Sequence, residues 1–310
     1  MIELTPETLA LLHLPAEERA LACMREIWID YPAATRAMDL AMELVKLPRR
    51  TYNPGMLITG TIGAGKSTMV QRWADQSWEP NSAWKRKIVY VDMSENTNEL
   101  NVQKRVIEEI GIRSDRPYIR TATEAWRAIK DFNIGALVVD EFGETEETSI
   151  ARIWKRNLLS ARGLAGRRWL VNLILVGTDA FSDTVMGNEH LRSRFANRRQ
   201  TMKSWLFNAD LAGFIAAYES CMPMKQYSAV TTDSFLSTLL QHSLAPPEGS
   251  DAAVASLRLI IDLFAEAHRY ALLHGQEYVD ENTLRDAHSY MSNSKPTVEW
   301  GSLKVLVDSE

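Results

Sequence analysis

The sequence predicts an α/β fold, a five-stranded parallel sheet built around a phosphate-binding loop, followed by a small all-helical domain. Three observations lead there. First, Gly60-Thr61-Ile62-Gly63-Ala64-Gly65-Lys66-Ser67 fits the loop pattern G-x-x-x-x-G-K-S/T. The apolar run Met56-Leu57-Ile58-Thr59 precedes it, as a buried parallel strand would, and Met69, Val70 and Trp73 follow at helical spacing. Second, Ala136-Leu137-Val138-Val139-Asp140-Glu141 is an apolar strand that ends in two acids. Third, strand patterning stops after Ala209 and four helical segments take over.

Composition sets the outer bounds. The chain has 310 residues, 45% hydrophobic and 24% charged, which are the proportions of an ordinary globular protein. That length accommodates a nucleotide-binding domain and one small companion. No apolar run reaches the roughly 18 residues of a membrane span. Met1-Ile2-Glu3-Leu4-Thr5 lacks the basic and apolar regions of a secretory signal. Cys23 and Cys221 are far apart and read as reduced core thiols, so a cytoplasmic location is expected. A net charge of −5 argues against a globally basic nucleic-acid binder and leaves room for a local basic face.

Taken in order, residues 1–48 read as an arm and helices leading into the core. Pro15-Ala16-Glu17-Glu18 starts a helix, with proline and acids in its first turn. An extended segment follows, in which Trp28 and Tyr31 are read as core packing, with a wall around an adenine ring as the alternative. The next helix, residues 33–47, carries the stripe Ala37, Ala41 and Leu44 and is stopped by Pro48. The nucleotide-binding domain covers residues 49–208. In its loop, Gly60, Thr61, Ile62, Gly63, Ala64, Gly65, Lys66, Ser67 and Thr68 are the phosphate-binding candidates. Glycines let backbone N–H groups turn inward around phosphate oxygens, and the following helix adds its positive end. Lys66 reaches the β and γ phosphates of ATP, and the Ser67 hydroxyl ligates Mg²⁺.

Residues 87–92 are the second strand, and residues 96–110 a helix with Gly111 as its C-cap. The loop over residues 112–123 holds Arg113, Arg116 and Arg120 against only Asp115, and Thr123 opens the next helix. At the third strand, Asp140 holds the Mg²⁺ shell and Glu141 orients and deprotonates a water. Glu144, Glu146 and Glu147 read as a solvated loop. The fourth strand, residues 171–178, puts Thr178 at its tip, either facing the γ-phosphate or merely turning the chain. The fifth strand is placed at residues 202–207. Between these two strands, His190-Leu191-Arg192-Ser193-Arg194-Phe195 opens a basic run, in which Arg194 and Arg192 could stabilise phosphoryl charge in a neighbouring subunit. The helical domain covers residues 209–290, with a long helix opened by Ser250-Asp251 and closed by Gly275. His268, on the apolar stripe of that helix, reads as a satisfied core histidine. Residues 291–310 are a tail.

Together, the phosphate loop, the strand ending in Asp140-Glu141, the Thr178 strand and the Arg192-Ser193-Arg194-Phe195 element resemble the AAA+ ATPases. More narrowly the chain resembles the TniB/TnsC group, the ATP-dependent target-selection regulators of DNA transposons, including CRISPR-associated transposons. Ile29-Asp30-Tyr31-Pro32 with the helix to Leu47-Pro48-Arg49-Arg50, Gly177-Thr178-Asp179-Ala180, Leu191-Arg192-Ser193-Arg194-Phe195, and Gly275 with the helix over residues 280–287 carry that resemblance. It implies a ring or helical filament that assembles with ATP and Mg²⁺ on double-stranded DNA. That assembly would take a signal from a TniQ-type adaptor, recruit the transposase and disassemble on hydrolysis. It also implies Thr178 as sensor and Arg194, or Arg192, as an arginine finger in trans. No clear second sensor opens the lid helix; Arg258 is the nearest candidate. Lys104, Arg113, Arg116, Arg120 and Thr121, with Thr123, are the candidate contacts to the DNA backbone, a solvated basic loop being the other reading. Two function classes compete. A replication initiator or helicase loader would add a winged helix, for which the tail is too short, and a small-molecule kinase would not need Glu141 with a helical lid.

Overall fold

The computed structural model describes residues 3–94, 102–141, 163–164, 166, 169–245 and 254–292. They form two compact units, one over residues 30–204 and one joining residues 1–29 to residues 205–310.

Two short helices come first, α1 (Pro6–Leu11) and α2 (Ala16–Cys23), and belong to the second unit. The α/β unit then runs α3 (Pro32–Lys46), β1 (Gly55–Gly60), α4 (Lys66–Trp78), β2 (Lys87–Asp92), α5 (Val102–Arg113), α6 (Ala122–Asp131), β3 (Ile134–Asp140), β4 (Asn172–Val176), α7 (Asp179–Gly187), α8 (Glu189–Phe195) and β5 (Arg199–Met202). The sheet order is β2-β3-β4-β1-β5, with every pair parallel. Residues of β1, β3 and β4 are buried on both faces, which explains their unbroken apolar runs. On one face Leu57, Val89, Leu137, Val139, Leu173 and Leu175 meet residues of α5, α6, α7 and α8 in a single core. Alternate positions along each strand leave Met56, Ile58, Ile88, Val138 and Ile174 for the other face, also buried. There α4 lies along β2 and β1, and α3 along β5 and β1. The Ala37, Ala41, Leu44 stripe of α3 is buried as its spacing predicts.

Phe195, at the end of α8, is fully buried against Gly55. A Cβ on Gly55 would lie 2.3 Å from the Phe195 ring, so glycine at the start of β1 is what lets α8 dock.

The helical unit adds α9 (Ala209–Glu219), α10 (Asp233–His242), α11 (Leu257–Leu273) and α12 (Glu281–Ser292) to α1 and α2. Side-chain oxygens of Asn208, Thr232 and Ser256 accept from backbone N–H groups to open α9, α10 and α11. Gly275, at φ 76°, closes α11: the Gln276 N–H donates to the Ala271 carbonyl (2.9 Å) and the Gly275 N–H to the Leu272 carbonyl (3.2 Å). His268 is fully buried, donates from Nδ1 to the Phe264 carbonyl (2.7 Å) and pairs through Nε2 with Glu219 (2.6 Å), as a satisfied core histidine does.

Several elements differ from the sequence reading. The fifth strand is Arg199–Met202, not residues 202–207; Trp205 instead forms a bridge to Ala255 in the helical unit, while Leu206 and Phe207 are exposed. An edge strand is stabilised by one neighbour, so its apolar content is a poor guide to its limits. Gly111 lies inside α5 rather than capping it. The left-handed residue is Asp115, φ 54°, with the Arg116 N–H donating to the Gly111 carbonyl (2.8 Å) and the Asp115 N–H to the Ile112 carbonyl (3.1 Å). Thr121, not Thr123, caps α6, in a reciprocal box with Glu124. The helical unit is not all helix: β6 (Leu244–Ala245) and β7 (Val254–Ala255) form a small antiparallel ribbon, and α11 starts at Leu257 behind its cap Ser256. The arm at the N-terminus is partly helical and folds with the helical unit, so that unit does not start at residue 209 alone. The cause is a set of long-range bonds. Arg19, 1% exposed, donates to both carboxylate oxygens of Glu277 (2.7 and 2.5 Å) and to the Pro223 carbonyl (2.8 Å), and Arg25 donates to the Cys221 carbonyl (2.6 Å). Leu100, Glu144, Glu146, Glu147, Ser250, Asp251 and residues 293–310 lie outside the described residues.

Candidate nucleotide site

Parallel strands present their C-terminal ends on one edge, and that edge is where such sheets bind ligands. Here it gathers Gly60 from β1, Asp140 from β3 and, just past β4, Thr178. Because β4 lies between β3 and β1, Thr178 stands between the phosphate loop and the acidic pair.

The loop is a cradle made by backbone geometry. Gly63 and Gly65 have φ of 73° and 79°, values that side-chain-bearing residues rarely adopt. Gly65 is the N-cap of α4 and supplies no side-chain cap, so the first N–H groups of that helix point into the loop without an internal acceptor. Lys66 is nearly buried and its Nζ donates to the carbonyls of Gly60 and Thr61, both at 2.9 Å. Thr61 Oγ1 is buried without a hydrogen-bond partner among the described residues. Ala64 is buried, Ile62 is 57% exposed, and Ser67 and Thr68 occupy the first turn of α4. An open helix N-terminus, a lysine turned into the loop and an orphaned hydroxyl fit an anionic ligand with several oxygens.

Tyr31, the N-cap of α3, places its hydroxyl 3.3 Å from the Ala64 carbonyl beneath the loop. It is buried, and burial pushes its phenol pKa up. Its ring is packed in the core, as the first of its two readings expects.

The acids differ in environment. Asp140 is 1% exposed; its Oδ1 accepts from the Glu141 N–H (2.9 Å) and its Oδ2 from the Tyr90 hydroxyl (2.9 Å). Glu141 is exposed and stands at φ 50°. Tyr90 remains a donor: burial first, then the charges of Asp140, Asp92 and Glu141, push its ionisation far up. A buried carboxylate with oriented oxygens and the Ser67 hydroxyl are both hard oxygen donors, the kind that Mg²⁺ takes. The sequence reading found Asp140 and missed Tyr90. The register Tyr90↔Val138 and Asp92↔Asp140 puts Tyr90 on the face of Asp140, two residues back along the neighbouring strand, and strand pairing is what would have revealed it.

Thr178 is the N-cap of α7, partly exposed, with no capping bond from its side chain. Arg192 is exposed on α8. Arg194 donates to the Asn53 carbonyl (3.3 Å) and lies 5.4 Å from the centre of the exposed Tyr52 ring. Asn53 precedes β1, so Arg194 is at the N-terminal edge of the sheet, away from the loop of its own chain. In the candidate DNA loop, Arg113 is paired with Asp75 and Arg116 with Asp131 (2.7 Å). Thr121 caps α6, Arg120 donates to the Ile119 carbonyl (3.1 Å), and Lys104 lies on α5. Arg258 is exposed on the first turn of α11, where its charge faces Asp262.

A family model described as bacterial TniB protein matches residues 19–206, more than half of the chain. The chain belongs to the TniB family. Structural comparison gives the α/β unit and its helical companion the fold of AAA+ ATPases. A Drosophila ORC chain solved bound to DNA is similar at TM-score 0.52 and 13% identity, over 90% of this chain and 65% of that one. An ORC1 protein from Aeropyrum pernix, solved in complex with DNA, gives 0.57 and 12%, over 88% and 69%. A Cdc6p from Pyrobaculum aerophilum gives 0.54 and 15%, over 86% and 69%. This TniB chain thus spans about two thirds of those relatives. No curated protein matches it in sequence. No described helix is long and apolar enough to cross a membrane.

Proposed function

We propose that this TniB-family ATPase assembles with ATP on duplex DNA, connects a TniQ-type target-selection adaptor to a transposase, and comes apart when ATP is hydrolysed. One observation carries the assembly: Arg194 is anchored beside Asn53, seven residues before Gly60 in the sequence. At about 3.3 Å per extended residue that is on the order of 20 Å. That distance separates Arg194 from the phosphates of its own site and supports a role for it in the site of a neighbouring copy. Within one site, Lys66 leaves the loop carbonyls for the γ-phosphate and the N-terminal N–H groups of α4 hold the β-phosphate. Ser67 and Asp140 would hold Mg²⁺, which would neutralise charge on the phosphates. Glu141 takes a proton from the attacking water, and Thr178 fixes that water or the γ-phosphate from between the two strands. Arg194 of one copy stabilises the charge that builds in the site of the next.

The DNA complexes of two of the fold relatives support DNA as the surface for assembly. They equally favour a second reading, an initiator- or loader-type ATPase. The deciding experiment mixes purified protein with a slowly hydrolysed ATP analogue and duplex DNA and follows assembly by electron microscopy, with and without a TniQ-type adaptor and a transposase. DNA-dependent rings or filaments that bind both proteins are expected. Assembly that instead binds a replicative helicase would establish the second reading, and indifference to DNA would overturn both.

A further inference from the structure

We propose that the Tyr90 hydroxyl is a positioning group for Asp140: it fixes the plane of the carboxylate and thereby sets the affinity of the site for its divalent cation. The inference rests on the reading of Asp140 as the metal-side acid and adds a residue from a different strand.

The terminal torsion of an aspartate is broad and turns easily. Asp140 cannot rely on water to orient it, because it is 1% exposed. Two bonds do so instead, one on each oxygen. The Glu141 N–H holds Oδ1 at 2.9 Å, and that bond comes from the next residue, so it moves with the strand end. The Tyr90 hydroxyl holds Oδ2 at 2.9 Å, and it comes from β2. The parallel register puts Tyr90 and Asp140 on one face, with Tyr90 beside Val138. Two residues of rise, about 6.6 Å, separate Tyr90 from the level of Asp140, a gap a tyrosine spans and a serine or threonine does not. Each carboxylate oxygen keeps a further lone pair for another partner. Asp92, which lies opposite Asp140 in the ladder, is engaged elsewhere: its Oδ1 accepts from the N–H and hydroxyl of Ser94 at 2.8 and 2.7 Å. Tyr90 thus donates to this acid from the neighbouring strand. Hydrogen-bonded neighbours of metal ligands orient them, and their loss commonly weakens metal binding about 10–100-fold.

Tyr90→Phe removes one oxygen and keeps the ring. On the full chain, affinity for a fluorescent ATP analogue is measured in EDTA and across a Mg²⁺ titration. The variant should bind the metal-free nucleotide within about twofold of the parent, while its Mg²⁺ midpoint rises about 10-fold or more. In a cycle with Asp140→Asn, the Tyr90→Phe change should add nothing further, because it acts through that carboxylate. An unchanged Mg²⁺ midpoint would overturn the role. So would an equal loss of affinity in EDTA, which is what a merely structural tyrosine gives. If the parent gains no nucleotide affinity from Mg²⁺, the assignment of Asp140 fails, and the role of Tyr90 with it.

Discussion

Glu141 stands in the left-handed backbone region, φ 50°, directly after the buried Asp140. For a non-glycine residue this conformation costs on the order of 1–3 kcal/mol, and it persists where the surroundings impose it. Its consequence is a division of labour between adjacent acids, one buried and bonded through both oxygens, the other exposed. Glu141→Gln should keep nucleotide binding and lower the rate of phosphate release by roughly 10²–10⁴; parental turnover would remove the residue from the chemistry. Lys66→Ala should instead abolish ATP binding itself, read as a flat fluorescence titration, because its ammonium supplies the point charge for the γ-phosphate. At this scale the sequence was most informative where function is local. Eight consecutive residues spell the loop, and Asp140-Glu141 follow one strand. Tyr90 was hidden because its partner is 50 residues away and only strand register brings them together.

The elements that deviate from the sequence reading share a cause: their ends are decided by distant partners. Arg19 sits in an amphipathic helix, where an arginine usually marks the wet face, yet it is the most deeply buried charge of α2 because Glu277 and the Pro223 carbonyl receive it. Arg19→Ala would leave Glu277 unpaired and should destabilise the helical unit by about 3 kcal/mol, measured as a shift in the urea midpoint. The guanidinium holds the Glu277 carboxyl below its ordinary value of 4.5. A depressed carboxylate contributes stability above that ordinary value and loses it as pH falls through the folded value. The parent should therefore lose stability on acidification below about pH 4.5 more steeply than Glu277→Gln, in parallel urea titrations. In the α/β unit, Gly55→Ala would press a Cβ to 2.3 Å from the Phe195 ring and 2.8 Å from the Leu173 carbonyl oxygen. It should cost about 1–3 kcal/mol and displace α8, with Arg194 on its last turn. The helix and strand types of β1 to β4 were legible from apolar runs. The edge strand β5 was not, since Trp205, Leu206 and Phe207 look more strand-like than Arg199 to Met202.

For the molecule as a whole, the arginine lies at one sheet edge and the phosphate loop at the other, and the proposed assembly would make activity a property of pairs of chains. Arg194→Ala and Glu141→Gln should each be nearly inactive alone, and mixing them should restore part of the hydrolysis; the absence of rescue in mixed assemblies would place Arg194 outside the shared site. In the proposed DNA contact, Arg113 and Arg116 would start from exposed pairs with Asp75 and Asp131, which solvent screens. They can exchange those partners for phosphates at little cost. Neutralising Lys104, Arg113, Arg116 and Arg120 together should flatten the salt dependence of duplex binding, its logarithmic slope falling by about 0.9 for each phosphate no longer neutralised. An unchanged slope would move the DNA surface to the basic run that starts at Arg192. The discontinuous helical unit also has a consequence in time. Arg19 and Glu277 are 258 residues apart, and the whole α/β unit lies between them in the chain. At translation rates of about 5–20 residues per second, α1 and α2 leave the ribosome roughly 13–50 s before the carboxylate that receives Arg19. During that interval the α/β unit can close first, while the opening helices wait exposed for a partner not yet made.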